Sequence, residues 1–343
     1  MKTVIYILIL SIGFSGQIYA QDKKEMNKLI KDHAGFIGHK KFFQTTEWAM
    51  CKFTVVYKLT TAMTAKDMDK NADVGAKVKA SSGAYGMLAG ISETDLQQIT
   101  DNVAKQFIER MKTEAGVDIA TWSSFKDSEN TEKIKKTQED REIYSRSQGL
   151  AYAMSYDETP HYNRVIVLVP GGKKIAKELK KNVMEFTLYV DFADMLATAH
   201  ADVSITGTSE TEYTKTTFFT WSEGGDQKLY PGVRIVRNMG SESAGEVATN
   251  IGTTTVKGHT ELGHMFTVGL INHVVSDVSF VEKIEEIEGE VPEILKNRRN
   301  NKIEYAKTFQ VYTTPEKYGT AVLDAANKYF DTVIKIYNYG KTQ

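Results

Sequence analysis

Ser92-Glu93-Thr94-Asp95 has the spacing of a capping box, in which a serine hydroxyl and a carboxylate three residues later take up free amides at a helix start. Leu96, Ile99, Val103, Phe107 and Met111 follow at three- and four-residue steps, and Gly116 supplies a terminator. The spacing therefore predicts a helix with a single apolar stripe, which must be buried against another element. Pro315 to Tyr339 reads as a second helix of this kind, with Pro315-Glu316 at its start and Gly340 at its end. Its stripe is Tyr318, Val322, Ala325, Tyr329, Val333 and Ile336.

The segments around these helices supply the sheet. Residues 50 to 60 read as a strand, since Val55, Val56, Tyr57, Thr60 and Thr61 are β-favouring. Val117 to Ala120, Leu150 to Tyr156, Arg164 to Val169 and Met184 to Phe192 read the same way, and Gly75 to Gly86 reads as a strand or a hairpin. The strand from Arg164, the Pro170-Gly171-Gly172 turn, a helix to about Lys181 and the strand from Met184 make a βαβ-like unit. Residues 202 to 237 are hairpins broken at Gly207, Glu223-Gly224-Gly225-Asp226 and Pro231-Gly232. Lys126 to Arg146 is an exposed helix or excursion, and Val281 to Arg299 a charged helix. The expected fold class is α/β (mixed α+β): a sheet with packed helices, βαβ-like units and a C-terminal docking helix. The chain divides into a signal peptide (1–20), a polar lead-in (21–48), a first α/β region (49–160) and a second (161–343) that ends in the docking helix.

Met1-Lys2, an apolar run from Val4 to Phe14 and a small-residue end at Ala20 before Gln21-Asp22-Lys23-Lys24-Glu25 have the order of a secretory leader. A spanning anchor would want about 20 apolar residues. Export, to the periplasm or beyond, is the expected destination. The single Cys51 cannot form an internal disulfide, so an exported chain of this kind must hold itself together by packing alone. That suits a bacterial envelope. Cys51 flanks the apolar run Phe53 to Tyr57 and reads as a small buried hydrophobe.

With 43 Lys and Arg against 44 Asp and Glu, interleaved along the chain, no basic face is set aside for a phosphate backbone. Nucleic acid is therefore not an expected partner, and neither membrane contact nor a cofactor is required. The candidate metal ligands are His259, Glu261 and His264, in His259-Thr260-Glu261-Leu262-Gly263-His264. A zinc-hydrolase helix needs histidines four apart with glutamate directly after the first. Here a five-residue step turns the second histidine about 140° away on a helix, and on a strand it falls on the opposite face. A secreted metal-dependent hydrolase using these three residues is accordingly the alternative function.

Other motifs read as structure. Gly171-Gly172-Lys173-Lys174 could offer amides to an anion but lacks phosphate-loop or dinucleotide spacing. Asp191 and Asp194 are taken as structural carboxylates, and Gly240 to Gly245 lacks the spacing of a serine elbow. Met195, Met239 and Met265 are core filling. As a membrane-barrel hairpin, residues 184 to 220 fail on the polar run Thr211 to Thr217.

The capped helix from Ser92-Glu93-Thr94-Asp95, the short strand after Gly116-Val117 and Trp122-Ser123-Ser124-Phe125 together resemble a module of bacterial envelope proteins, including the periplasmic domain of the curli secretion channel. The chain lacks the lipid-bearing cysteine of that family. The resemblance implies an α/β envelope protein that binds or assembles, and assigns no site residue. The functional expectation is an exported bacterial envelope protein, non-catalytic, that binds or assembles with an envelope protein or small ligand. A structural subunit of a surface assembly is a further alternative.

Overall fold

The computed structural model describes residues 23–29, 34–37, 40–71, 76–131, 142–145, 149–160, 171–210, 215–237, 254–287 and 305–342. The leader, the strand expected over Arg164 to Val169 and the serine-containing stretch at 240–245 lie outside them. In chain order the elements are α1 (residues 23–29), β1 (Ala34–Ile37), β2 (Glu47–Lys58), β3 (Thr60–Asn71), β4 (Ala76–Ala89), α2 (Glu93–Ala115), β5 (Asp118–Ala120), β6 (Glu142–Ser145) and β7 (Gly149–Ser155). There follow α3 (Gly172–Leu179), β8 (Asn182–Ala197), β9 (His200–Glu210), β10 (Lys215–Gly224), β11 (Gln227–Ile235), β12 (Thr255–His259), β13 (Met265–Leu270), β14 (Val274–Val275), β15 (Lys283–Ile287), β16 (Tyr305–Tyr312) and α4 (Pro315–Lys341).

The α/β fold is built on one ten-stranded sheet in the order β1-β13-β12-β8-β2-β7-β6. β11 and β12 take successive stretches of the same edge of β8, and β5 pairs with the start of β2. β2, from the first α/β region, and β8, from the second, run parallel at its centre, so one sheet draws on both regions. Phe53 and Phe186 are register partners with stacked rings, centroids 4.8 Å apart. Over them lie Phe107 of α2, 4.6 Å from Phe186, and Phe330 of α4, 5.0 Å from Phe107. The helix-facing residues of β2 are Trp48 and Met50 and then Phe53, Val55 and Tyr57. A register shift between Met50 and Lys52 accounts for the change from even to odd numbers.

Both helix expectations hold in detail. Asp95 N–H donates to Ser92 Oγ at 3.2 Å and Ser92 N–H donates to Asp95 Oδ2 at 2.8 Å, which closes the capping box. Gly116 ends α2 at φ 64°, the left-handed conformation that costs glycine least. All five predicted stripe residues of α2 and all six of α4 are buried. Arg110 ties the two helices together, donating to Glu114, to Asp331 and, at 3.0 Å, to the Asn327 carbonyl. On the opposite face of the sheet, Ile175 and Ala176 of α3 pack on Ala49, Cys51 and Val183.

A second sheet, β15-β16-β4-β3, has β16 parallel to β4. Its Met63, Ala65, Ala84 and Phe309 pack on Met195, Ala197 and Leu229 at the far end of β8 and β11. A Cβ at Gly86 would stand 2.7 Å from Leu229 Cδ1, so glycine lets the two layers close. The β9–β10 hairpin stacks on the β3–β4 hairpin, and Ala201 N–H donates to Asp67 Oδ2 at 2.9 Å.

Several segments depart from the sequence reading: β3 extends the strand content to Asn71, and Glu142 to Ser145, expected within an exposed helix or excursion, forms β6 against β7. Lys283 to Ile287, expected within a helix over Val281 to Arg299, forms strand β15 against β16, and residues 288–299 lie outside the described ones. The charges explain the difference: Lys283 pairs with Glu285 two positions on, and such residues share a strand face but not a helix face. Glu286 pairs with Lys307 across the ladder at 2.9 Å.

Because Phe107 is fully buried between the sheet and α4, Phe107→Ala is expected to cost about 3 to 5 kcal/mol. Urea unfolding checks this. A change below about 0.5 kcal/mol, the range of exposed positions, would contradict the packing.

Candidate functional site

His259, Glu261 and His264 fall on the β12–β13 hairpin, whose turn is closed by Thr260 N–H to the His264 carbonyl and Gly263 N–H to the Thr260 carbonyl, each 2.7 Å. Gly263 takes φ 80° there. His259 is the last residue of β12 and faces α3, Glu261 is half-buried in the turn, and His264 is exposed. Burial first, and the Lys173 charge second, lower the pKa of His259, and its buried Nδ1 makes no hydrogen bond. Among the described residues no group of three or more His, Cys, Asp or Glu side chains is placed to hold a metal ion. Gly171, at φ 81°, and Gly172 turn the chain into α3.

Asp191 and Asp194 are ion-pair partners. Lys58 Nζ lies 3.0 Å and Arg234 3.5 Å from Asp191, while Arg234 Nη1 lies 3.2 Å from Asp194. This cluster belongs to a polar tract on the sheet face that α2 and α4 do not cover. Lys52, Glu185 and Lys257 are neighbours in register across β2, β8 and β12. The next row is Ser155, Thr54, Thr187 and Thr255 across β7, β2, β8 and β12. Lys52 and Glu185 are each only 1% exposed. Burial, opposed by the Glu185 charge and reinforced by Lys257, pulls the Lys52 ammonium down to about 8. Cys51 is fully buried, and burial together with Glu185 pushes its thiol well up, away from a nucleophile's range.

Two strand edges form the other notable feature. β3 closes one side of the second sheet, and among the described residues β10 pairs with β9 alone; the start of β3 is covered, since Thr60 and Thr61 are buried and Leu150 N–H donates to Thr60 Oγ1 at 2.8 Å. Thr60-Thr61-Ala62-Met63-Thr64-Ala65 of β3 and Thr216-Thr217-Phe218-Phe219-Thr220-Trp221-Ser222 of β10 contain no charge and no proline. Charges and proline are what usually protect an edge from further pairing. The sequence reading stopped the first strand near residue 60 and missed β3. The available signal was the run of uncharged residues from Thr60 through Ala65, three of them β-branched threonines.

No protein-family model matches the chain, and no curated protein or solved structure matches it.

The lowered Lys52 value has a definite consequence for stability. Between pH 8 and the ordinary lysine value of 10.5 the unfolded chain binds the Lys52 proton more tightly than the folded chain. Unfolding then takes up a proton, so this contribution is fully present above pH 10.5 and is lost as pH falls to about 8. Wild type should therefore gain on Lys52→Met as pH rises through that window, measured by urea unfolding at each pH. A constant difference would show that Lys52 titrates normally.

Proposed function

We propose that this chain is an exported envelope protein that works by assembling with further copies of itself rather than by catalysis. The observation that carries the reading is the uncharged run Thr216 to Ser222 of β10, together with the shorter uncharged run Met63 to Ala65 of β3, each on a strand at the end of its sheet. A strand with one free side presents a row of backbone donors and acceptors, and addition of another strand satisfies them. The two hairpins are stacked together at one end of the sheet, so one copy could offer both edges at once. The leader over residues 1–20 supports export, and the resemblance over Ser92 to Phe125 supports an envelope setting.

Sedimentation velocity across micromolar concentrations tests the reading. The full chain should form a discrete assembly, and Thr64→Lys with Thr220→Lys, which put a charge on each edge, should return it to monomer with an unchanged melt. A wild-type chain that stays monomeric over the whole range would contradict the proposal. For the compartment, N-terminal sequencing of protein recovered from the envelope fraction should begin at Gln21, whereas an intact leader on cytosolic protein would contradict export.

A further inference from the structure

The β12–β13 turn and α3 carry a surface that self-assembly does not use. α3 and its C-cap contain Lys173, Lys174, Lys177 and Lys180, all exposed and, among the described residues, none in an ion pair. Of the neighbouring acidic groups, Glu178 accepts from the Glu129 and Asn130 amides at 2.8 and 3.2 Å and Glu47 pairs with Lys181 at 2.8 Å, while Glu261, half-buried on the turn itself, is a single negative charge against the four lysines. In a chain of net charge −1 this is a local concentration of positive charge. Two large apolar side chains stand beside it, Leu262 at the turn and Met265 at the start of β13, 46% and 55% exposed, so Met265 is not the core filling that the sequence reading makes it. The two parts are in contact, for a Cβ on Gly263 would come within 2.8 Å of Lys173 Cε and 3.2 Å of Lys177 Cε.

We infer that this face is a docking surface for a bilayer rich in anionic headgroups, with the lysines of α3 on the phosphates and Leu262 and Met265 entering the acyl boundary. Lysine heads on flexible apolar stems around a protruding apolar tip are the arrangement that an interface between headgroup and hydrocarbon accepts. Two apolar side chains raised on a turn beside flexible lysine stems suit insertion into a fluid boundary, where no preformed pocket is needed. No helix among the described residues is long and apolar enough to cross a membrane, so the contact proposed is peripheral. Anionic surfaces attract juxtaposed basic residues by about 1 kcal/mol each, or about fivefold in affinity per lysine.

Vesicle co-sedimentation of the purified full chain tests this, with phosphatidylcholine alone against phosphatidylcholine containing about one third phosphatidylglycerol. The chain should bind the anionic vesicles in preference and release them with added salt. K173E/K174E/K177E should weaken binding on the order of 100-fold or more. L262S/M265S should weaken it several-fold while leaving the melt unchanged. Equal binding to both vesicles, or binding insensitive to charge reversal, would overturn the inference. Loss in the lysine variant with no effect of L262S/M265S would also overturn it, since the chain would then adhere by charge alone with no apolar insertion.

Discussion

Everything on the apolar side of this protein depends on the stacked Phe53–Phe186 pair. The two rings come from parallel neighbours more than a hundred positions apart in the chain, and Phe107 and Phe330 close over them from the two long helices. One contact thus fixes β2 against β8, α2 against the sheet and α4 against α2. With no disulfide available to a chain that has one buried cysteine, this packing has to hold the body together. The aromatic cluster of Phe42, Trp48, Phe266 and Tyr337 extends it toward the start of β2.

The other side of the same strands follows a different rule. Lys52–Glu185–Lys257 and Lys58–Asp191–Arg234 bury charge where a well-packed apolar row would be at least as stable. What such rows add is register, because a one-residue slip of β2 would carry Lys52 to the face that holds Phe107 and Phe330. Asp191 also accepts from the Phe192 amide at 2.9 Å, close to the end of β8 whose Met195 and Ala197 pack against the second sheet. The charged cluster therefore marks the boundary between a helix-covered body and the stacked hairpins.

Where a local signal was complete, the sequence could be read to the residue. Ser92, Asp95 and Gly116 bound α2 because capping is short-range chemistry, and the stripes of α2 and α4 emerge from spacing alone. Local signals failed where pairing decides the outcome. Lys283 to Ile287 is rich enough in charge for a surface helix, and only β16 beside it makes it a strand. β3 packs on Met195, Ala197 and Leu229 through Met63 and Ala65, one large and one small residue, so its alternation is faint. Of the candidate site, the sequence reading sets His259 and His264 on one helix or one strand, whereas a hairpin turn between β12 and β13 sets their geometry, with His259 against α3 and His264 exposed. The Lys52–Glu185–Lys257 row was invisible in the sequence because its members are brought together by strands separated along the chain.

A body locked by aromatic packing and hairpins whose outer strands carry uncharged runs divide the molecule, on the proposed reading, into a part that holds and a part that joins. Hydrogen exchange at two protein concentrations tests that division most directly. The account predicts that amides of β2, β8, α2 and α4 exchange slowly and equally at both, while those of β3 and β10 gain protection at the higher concentration. If β3 and β10 exchange at the same rate at both concentrations, the edges are not where copies of this protein meet.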